Sequence, residues 1–188
     1  MILPLTYYGN PVLREKGALV ESVTPELEEF IENMFETMEE HRGIGLAAQQ
    51  VGRAIQLTVI DVRTAENRPS TLEIDGEEAD PNSLMPLVLI NPEVTPLNDP
   101  VIGPEGCLSF PEIYGDVTRP EQVRVKAMDG HGKPIKFVCG GLLARCIQHE
   151  TDHLHGILFI DRMDRASKTD ELREDLELLQ KKTKANLE

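Results

Sequence analysis

The chain has no tryptophan, only three cysteines in 188 residues, and no apolar run approaching the roughly 20 residues that span a bilayer as a helix. An odd, sparse set of cysteines excludes a disulfide scaffold. Basic residues are also few: 19 Lys+Arg face 33 Asp+Glu, a formal net charge of −14. Such a balance repels polyanions, which argues against direct nucleic-acid binding through a basic surface. The opening segment lacks a basic stretch followed by an apolar one, so no secretory signal is read there. These absences leave a cytoplasmic protein with no membrane association, folded as one domain over residues 1–188. At 40% apolar residues the chain can build its core without covalent staples.

Apolar residues at Leu27, Phe30, Ile31, Met34, Phe35 and Met38 lie on one face of a helix predicted from Thr24 to His41, with Thr24 as cap and Pro25 in the first turn. Ile55–Val62 and Leu84–Ile90 read as strands. Residues 63–83 between them are polar and acidic without apolar periodicity, and are expected to form a mobile surface insertion. Val123–Met128 and Pro134–Val138 flank Asp129-Gly130-His131-Gly132 as a hairpin. A helix is expected from Gly141 to His155, stopped by Gly156, then a short strand over Ile157–Ile160. Residues 168–188 form a C-terminal helix and tail, with Leu172, Leu176 and Leu179 at helical spacing before Lys181, Lys182 and Lys184. The interleaving predicts an α+β fold with antiparallel or mixed sheets around a central helix, flanked by N-terminal and C-terminal helices.

That central helix carries His149-Glu150-Thr151-Asp152-His153. Residues four apart share a helix face, so the two imidazoles can converge on one metal ion, with Glu150 placed to move the proton of an activated water. Two ordinary histidines on an amphipathic helix would give the same spacing. A catalytic metal needs a third ligand and an open position; Cys107, Cys139, Cys146, His131, His155 and several carboxylates are candidates. Cys139 and Cys146 read as small core residues. Cys107 lies in Pro104-Glu105-Gly106-Cys107-Leu108-Ser109-Phe110-Pro111, a rigid extended turn that presents its side chain. Gly43-Ile44-Gly45-Leu46-Ala47-Ala48-Gln49-Gln50 superficially fits a dinucleotide-binding pattern, but a helix precedes it where that pattern needs a strand. Its glycines fit close backbone approach to a ligand, or a permissive helix-to-strand loop.

Taken together, Gly43–Gln50, Glu105–Ser109 and Gln148–Leu154 resemble the three motifs of the peptide deformylase family, in the family's order. Tyr8-Gly9-Asn10-Pro11-Val12-Leu13-Arg14 adds to a resemblance covering most of the chain. Gln49 stands where members usually carry proline, and the 63–83 segment is longer than the usual connection. The resemblance implies a catalytic domain that removes the N-formyl group from N-formylmethionyl peptides and releases formate. It implies one divalent metal held by Cys107, His149 and His153, with Fe2+ as the physiological ion and Zn2+, Ni2+ or Co2+ able to replace it. Glu150 is implied as the acid–base group, and the Gln50 amide with the Leu108 backbone N–H as oxyanion donors. Ile44, Gly45, Gly106, Leu142 and Cys146 are expected to contact substrate, joined by the stem of Arg145, and Arg119 to pair with Glu105 and Asp152. The C-terminal helix resembles that of members which dock on the ribosome. Two rivals remain at this stage: an H-E-x-x-H metalloprotease or aminopeptidase, and a structural zinc module completed by Cys146 or His155.

Overall fold

The computed structural model describes residues 1–187. Helix α1 spans Pro25–Glu40, with the Thr24 hydroxyl accepting the Leu27 N–H at 3.1 Å and Pro25 in the first turn. Its apolar stripe packs on the strands that follow it, burying Leu27, Phe30, Met34 and Met38 against Leu46, Leu57, Val59 and Ile90.

Among the described residues seven strands form one antiparallel sheet, so the α+β expectation is met with a single sheet. The strands are β1 (Gly45–Ala47), β2 (Leu57–Ile60), β3 (Ser70–Ile74), β4 (Glu77–Ala79), β5 (Leu87–Cys107), β6 (Phe110–Met128) and β7 (Pro134–Gly140). Their spatial order is β1-β2-β5-β6-β7-β3-β4. Strands β5 and β6 make a long hairpin whose register shifts at Ile90/Glu93, Leu97/Pro100 and Gly106/Cys107. Such bulges bend a strand and absorb prolines that a straight central ladder would not accept.

Helix α2 (Gly141–Leu154) packs against strands from both ends of this sheet. Leu142, Leu143, Ala144, Cys146 and Ile147 bury with Ile60, Leu72, Leu89, Val125 and Phe137. A third cluster joins Phe110, Val117, Phe159 and Met163 to Leu172, Leu176 and Leu179 of α4 (Asp170–Leu187). No helix among the described residues is long and apolar enough to cross a membrane.

Two local expectations need correcting. Ile157–Ile160 is not a strand: its second half opens a helical turn, α3 (Phe159–Arg162). Asp161 Oδ2 accepts the Leu158 N–H at 2.9 Å and closes that turn, while Phe159 stacks edge-on against Phe110 at 5.1 Å. Tertiary packing overrides the apolar run there. The 63–83 segment is not a free surface loop either. It supplies β3 and β4, joined at Asp75-Gly76 with φ of 53° and 80°, and β3 pairs with β7 through Leu72↔Cys139. The paired left-handed residues are what a tight hairpin turn requires.

Candidate metal centre

Helix α2 and the tip of the β5–β6 hairpin meet at a cleft of about 520 Å³. From α2 come His149, Glu150 and His153, all buried. Cys107 comes from the end of β5, where Leu108 and Ser109 turn the chain into β6. One donor atom from each of Cys107, His149 and His153 lies within 4.8 Å of the others. Cys107 Sγ is 3.3 Å from His153 Nε2. A thiolate and two imidazoles form a donor set suited to a divalent transition metal, and three such ligands leave a position free for chemistry.

The imidazole of His149 is held from behind. Its Nδ1 lies 2.8 Å from Glu105 Oε1, which leaves Nε2 for the metal side. Arg119 grips the same carboxylate with Nε at 2.5 Å and Nη2 at 2.9 Å, and reaches Asp152 with Nη1 at 3.0 Å. The expected pairing of Arg119 with Glu105 and Asp152 is therefore present. Burial alone would raise the Glu105 pKa, but hydrogen bonds from His149 and Arg119 hold it far below the carboxylate range. For His149, burial works against the charged ring, while Cys107 and Glu105 pull its pKa above the ordinary value. Burial and the neighbouring His149 push His153 below it.

Glu150 differs from Glu105. Its Oε2 is buried and has no hydrogen-bond partner among the described residues. Burial lifts its pKa to about 7. A carboxyl poised near neutrality beside three metal donors can accept and return a proton. This oxygen and the Cys–His–His set are what a metal and a reacting water would satisfy.

The Gly43–Gln50 segment forms the opposite wall, through β1 and a tight 3-10 turn over Ala48–Val51. Gln50 Oε1 accepts the Ala47 N–H at 2.9 Å, which aims Nε2 at Cys107 Sγ (3.4 Å) and Ser109 Oγ (3.2 Å). A Cβ on Gly45 would lie 2.8 Å from Cys146 Sγ and 2.9 Å from Glu150 Cγ, so only glycine lets this wall approach α2 so closely. Gln49 is buried, and its amide reaches the Glu15 carbonyl at 3.4 Å.

The cleft gathers Ile44, Gly45, Gln50, Gly106, Cys107, Leu108, Leu142, Cys146, His149 and Glu150 on its walls, with His153 at the metal donors behind them. Cys146 stands 3.7 Å from the Ile44 carbonyl and does not join the donor cluster, and neither does His155. Arg145 lines the cleft as expected. It is buried, and its guanidinium is committed to Glu105 and two backbone carbonyls, partners that the sequence did not signal. Sequence reasoning missed Tyr7, Arg42, Arg68 and Tyr114, which also line the mouth. Arg68 arrives from the 63–83 segment, and no local pattern announces it.

A buried H-E-x-x-H helix, a cysteine beside it from a neighbouring hairpin and a buried glutamate oxygen without a partner are the features of a metal-dependent hydrolase. The polypeptide deformylase family profile matches residues 2–169, and the chain belongs to that family. It is similar to the peptide deformylase of Opitutus terrae, 46% identical over 187 residues, covering 98% of this chain and 96% of that protein. The enzyme of Methylacidiphilum infernorum is 45% identical over 181 residues, covering 96% and 94%. Among solved structures, a Synechococcus elongatus peptide deformylase in complex with actinonin superposes with a TM-score of 0.75 at 42% identity, covering 96% of this chain and 85% of that one. Arabidopsis thaliana peptide deformylase 1B gives 0.81 at 36% identity, covering 98% and 93%.

Proposed function

We propose that this single domain removes the formyl group from the N-terminus of formyl-methionyl peptides in the cytoplasm, by the following division of labour. Cys107, His149 and His153 hold one divalent ion, with ferrous iron as the physiological metal and zinc, nickel or cobalt as substitutes. When bound, that ion supplies Lewis acidity that acidifies water and polarises a carbonyl.

Glu150 takes the proton of the attacking water at Oε2 and returns it to the departing amine. The Gln50 amide and the Leu108 N–H donate to the oxygen on which charge develops, and loss of one such donor typically lowers rate by about 10²–10³. Gly45 and Gly106 offer backbone edges to an extended peptide, in the manner of strand addition. Ile44, Leu142 and Cys146, with the stem of Arg145, provide an apolar wall for the methionine side chain. The outer face of α4, with exposed Leu178 and Lys181, Lys182 and Lys184 near its end, serves as the ribosome-facing surface.

The observation that carries this reading is the buried, unpartnered Glu150 Oε2 beside the Cys107–His149–His153 donors. Formate release from formyl-Met-Ala-Ser by anaerobically prepared protein tests it, with metal content measured in parallel. Glu150→Gln is expected to keep one metal per chain and lose about 10²–10⁴ in turnover. No formate from a folded, metallated wild type, or full turnover by Glu150→Gln, overturns it. Iron as the dominant metal in anaerobic preparations supports the metal assignment, and zinc alone refutes it. Co-sedimentation with ribosomes that is lost on reversing Lys181, Lys182 and Lys184 to Glu supports the docking role.

A further inference from the structure

Arg145 sits on α2 one turn before His149 and is only 8% exposed. A buried guanidinium must place its donors. Nη1 donates to Glu105 Oε2 and to the Val117 carbonyl, both at 2.8 Å, and Nη2 donates to the Val101 carbonyl at 2.9 Å. Gly103 makes the route possible, because a Cβ there would stand 3.0 Å from the guanidinium carbon.

The Glu105 carboxylate therefore receives four hydrogen bonds: two from Arg119, one from His149 and one from Arg145. An ionised carboxylate has about four lone-pair sites, so the set is complete. Arg119 supplies two of these bonds and directs its Nη1 to Asp152, so the fourth comes from Arg145. The Val101 and Val117 carbonyls belong to the two strands whose far end carries Cys107. One side chain of the histidine-bearing helix thus holds both the carboxylate behind His149 and the hairpin that delivers the thiolate.

We propose that Arg145 is a second positioning arginine of the metal centre. Through Glu105 it fixes the His149 ring with Nε2 directed at the metal locus, and through the β5–β6 backbone it sets the distance of Cys107 from the two histidines. The inference rests on the metal-binding reading above and extends it to a residue whose charged group is directed at Glu105 and the β5–β6 backbone.

The test is a chelator-competition titration of metal-free protein with Co2+, reading the dissociation constant and the thiolate-to-cobalt charge-transfer band. Arg145→Met is expected to unfold cooperatively like wild type, to bind Co2+ about 10–100-fold more weakly and to show an altered band, the size of effect seen when outer partners of metal ligands are removed. Arg145→Lys restores a charged donor to Glu105 and is expected to recover most of that loss. A merely structural role would lower thermal stability and leave the metal constant and the band unchanged, and that result overturns the proposal. Equal weakening in the Met and Lys variants also overturns it. Should Arg145→Met fail to fold, Gly103→Ala decides, since its Cβ presses on the guanidinium: weakened Co2+ binding supports the proposal, and wild-type binding overturns it. A wild type that binds no Co2+ at all refutes the metal reading itself, and this inference with it.

Discussion

Ser70 Oγ accepts the backbone N–H of Leu143 at 3.0 Å, and the neighbouring Pro69 carbonyl accepts that of Leu142 at 3.0 Å. Helix α2 begins after Gly140, which has no side chain to cap it, so a segment some 70 residues upstream satisfies its first N–H groups. The polar 63–83 segment thus anchors the helix that carries the metal donors. Ser70→Ala is expected to remove this remote cap, lowering stability by about 1 kcal/mol and Tm by roughly 2–4 °C for a chain of this size. Thermal unfolding checks it, and kcat/KM below Tm should stay near wild type.

Gly45 tests the close approach of the two cleft walls. Gly45→Ala places a methyl group 2.8 Å from Cys146 Sγ and 2.9 Å from Glu150 Cγ, closer than such atoms normally approach. The Glu150 carboxylate must shift, while the three metal donors lie outside the clash. Metal stoichiometry is expected to hold at one per chain and kcat to fall at least about tenfold, because proton transfer depends on hydrogen-bond-range placement.

The sequence disclosed the site more fully than the sheet. The meeting of Cys107, His149 and His153 with Glu150 beside them was legible as a candidate site, because metal chemistry favours those residue types and helix geometry puts residues four apart on one face. Helix α1 was legible through its cap and its apolar stripe. Strand β5 was not legible beyond Ile90, since Pro92, Pro96, Pro100 and Pro104 contradict a regular strand and only its bulges reconcile them. Strands β3 and β4 carry a turn signal in Asp75-Gly76, hidden by acidic flanks whose outer face meets solvent. Arg145 shows a different limit. Its burial depends on Gly103, Val101 and Val117, which lie in strands remote from it in sequence, so no pattern around Arg145 separates it from a surface arginine.

Arg14 and Asp161 tie the N-terminal 3-10 turn to α3. Arg14 Nη1 is 2.6 Å from Asp161 Oδ2, and Nη2 is 3.1 Å from Oδ1. Partial burial raises the Asp161 pKa, but the Arg14 hydrogen bonds prevail and hold it below its ordinary value. A depressed folded-state pKa gives stability that is complete above about pH 4–5 and is lost as pH falls through the folded value. The pair is partly exposed, at 46% and 38%, so screening limits it to about 1 kcal/mol. Asp161→Asn is expected to lose that amount at pH 7 and to approach wild type as pH falls through the folded value; urea denaturation at pH 7 and at successively lower pH measures both.

The three cysteines separate by environment, which gives metal removal a direct readout. Burial pushes the Cys139 thiol up to about 12, and burial with the nearby Glu150 charge drives Cys146 well above its ordinary value. Both stay protonated and enclosed at pH 7.5, so neither offers the thiolate that alkylation requires. Cys107 is half-buried at the cleft, and its sulfur is the one that coordination would occupy. Iodoacetamide at pH 7.5 is therefore expected to modify the metal-loaded protein slowly, and the chelated protein at one site, identified as Cys107 by peptide mass mapping. Alkylation should abolish subsequent Co2+ uptake, since the thioether formed at Cys107 is a far weaker donor than a thiolate. Modification of Cys139 or Cys146 in the folded chelated protein would contradict the enclosure of those two thiols. Equal labelling of Cys107 with and without metal would contradict its place among the ligands.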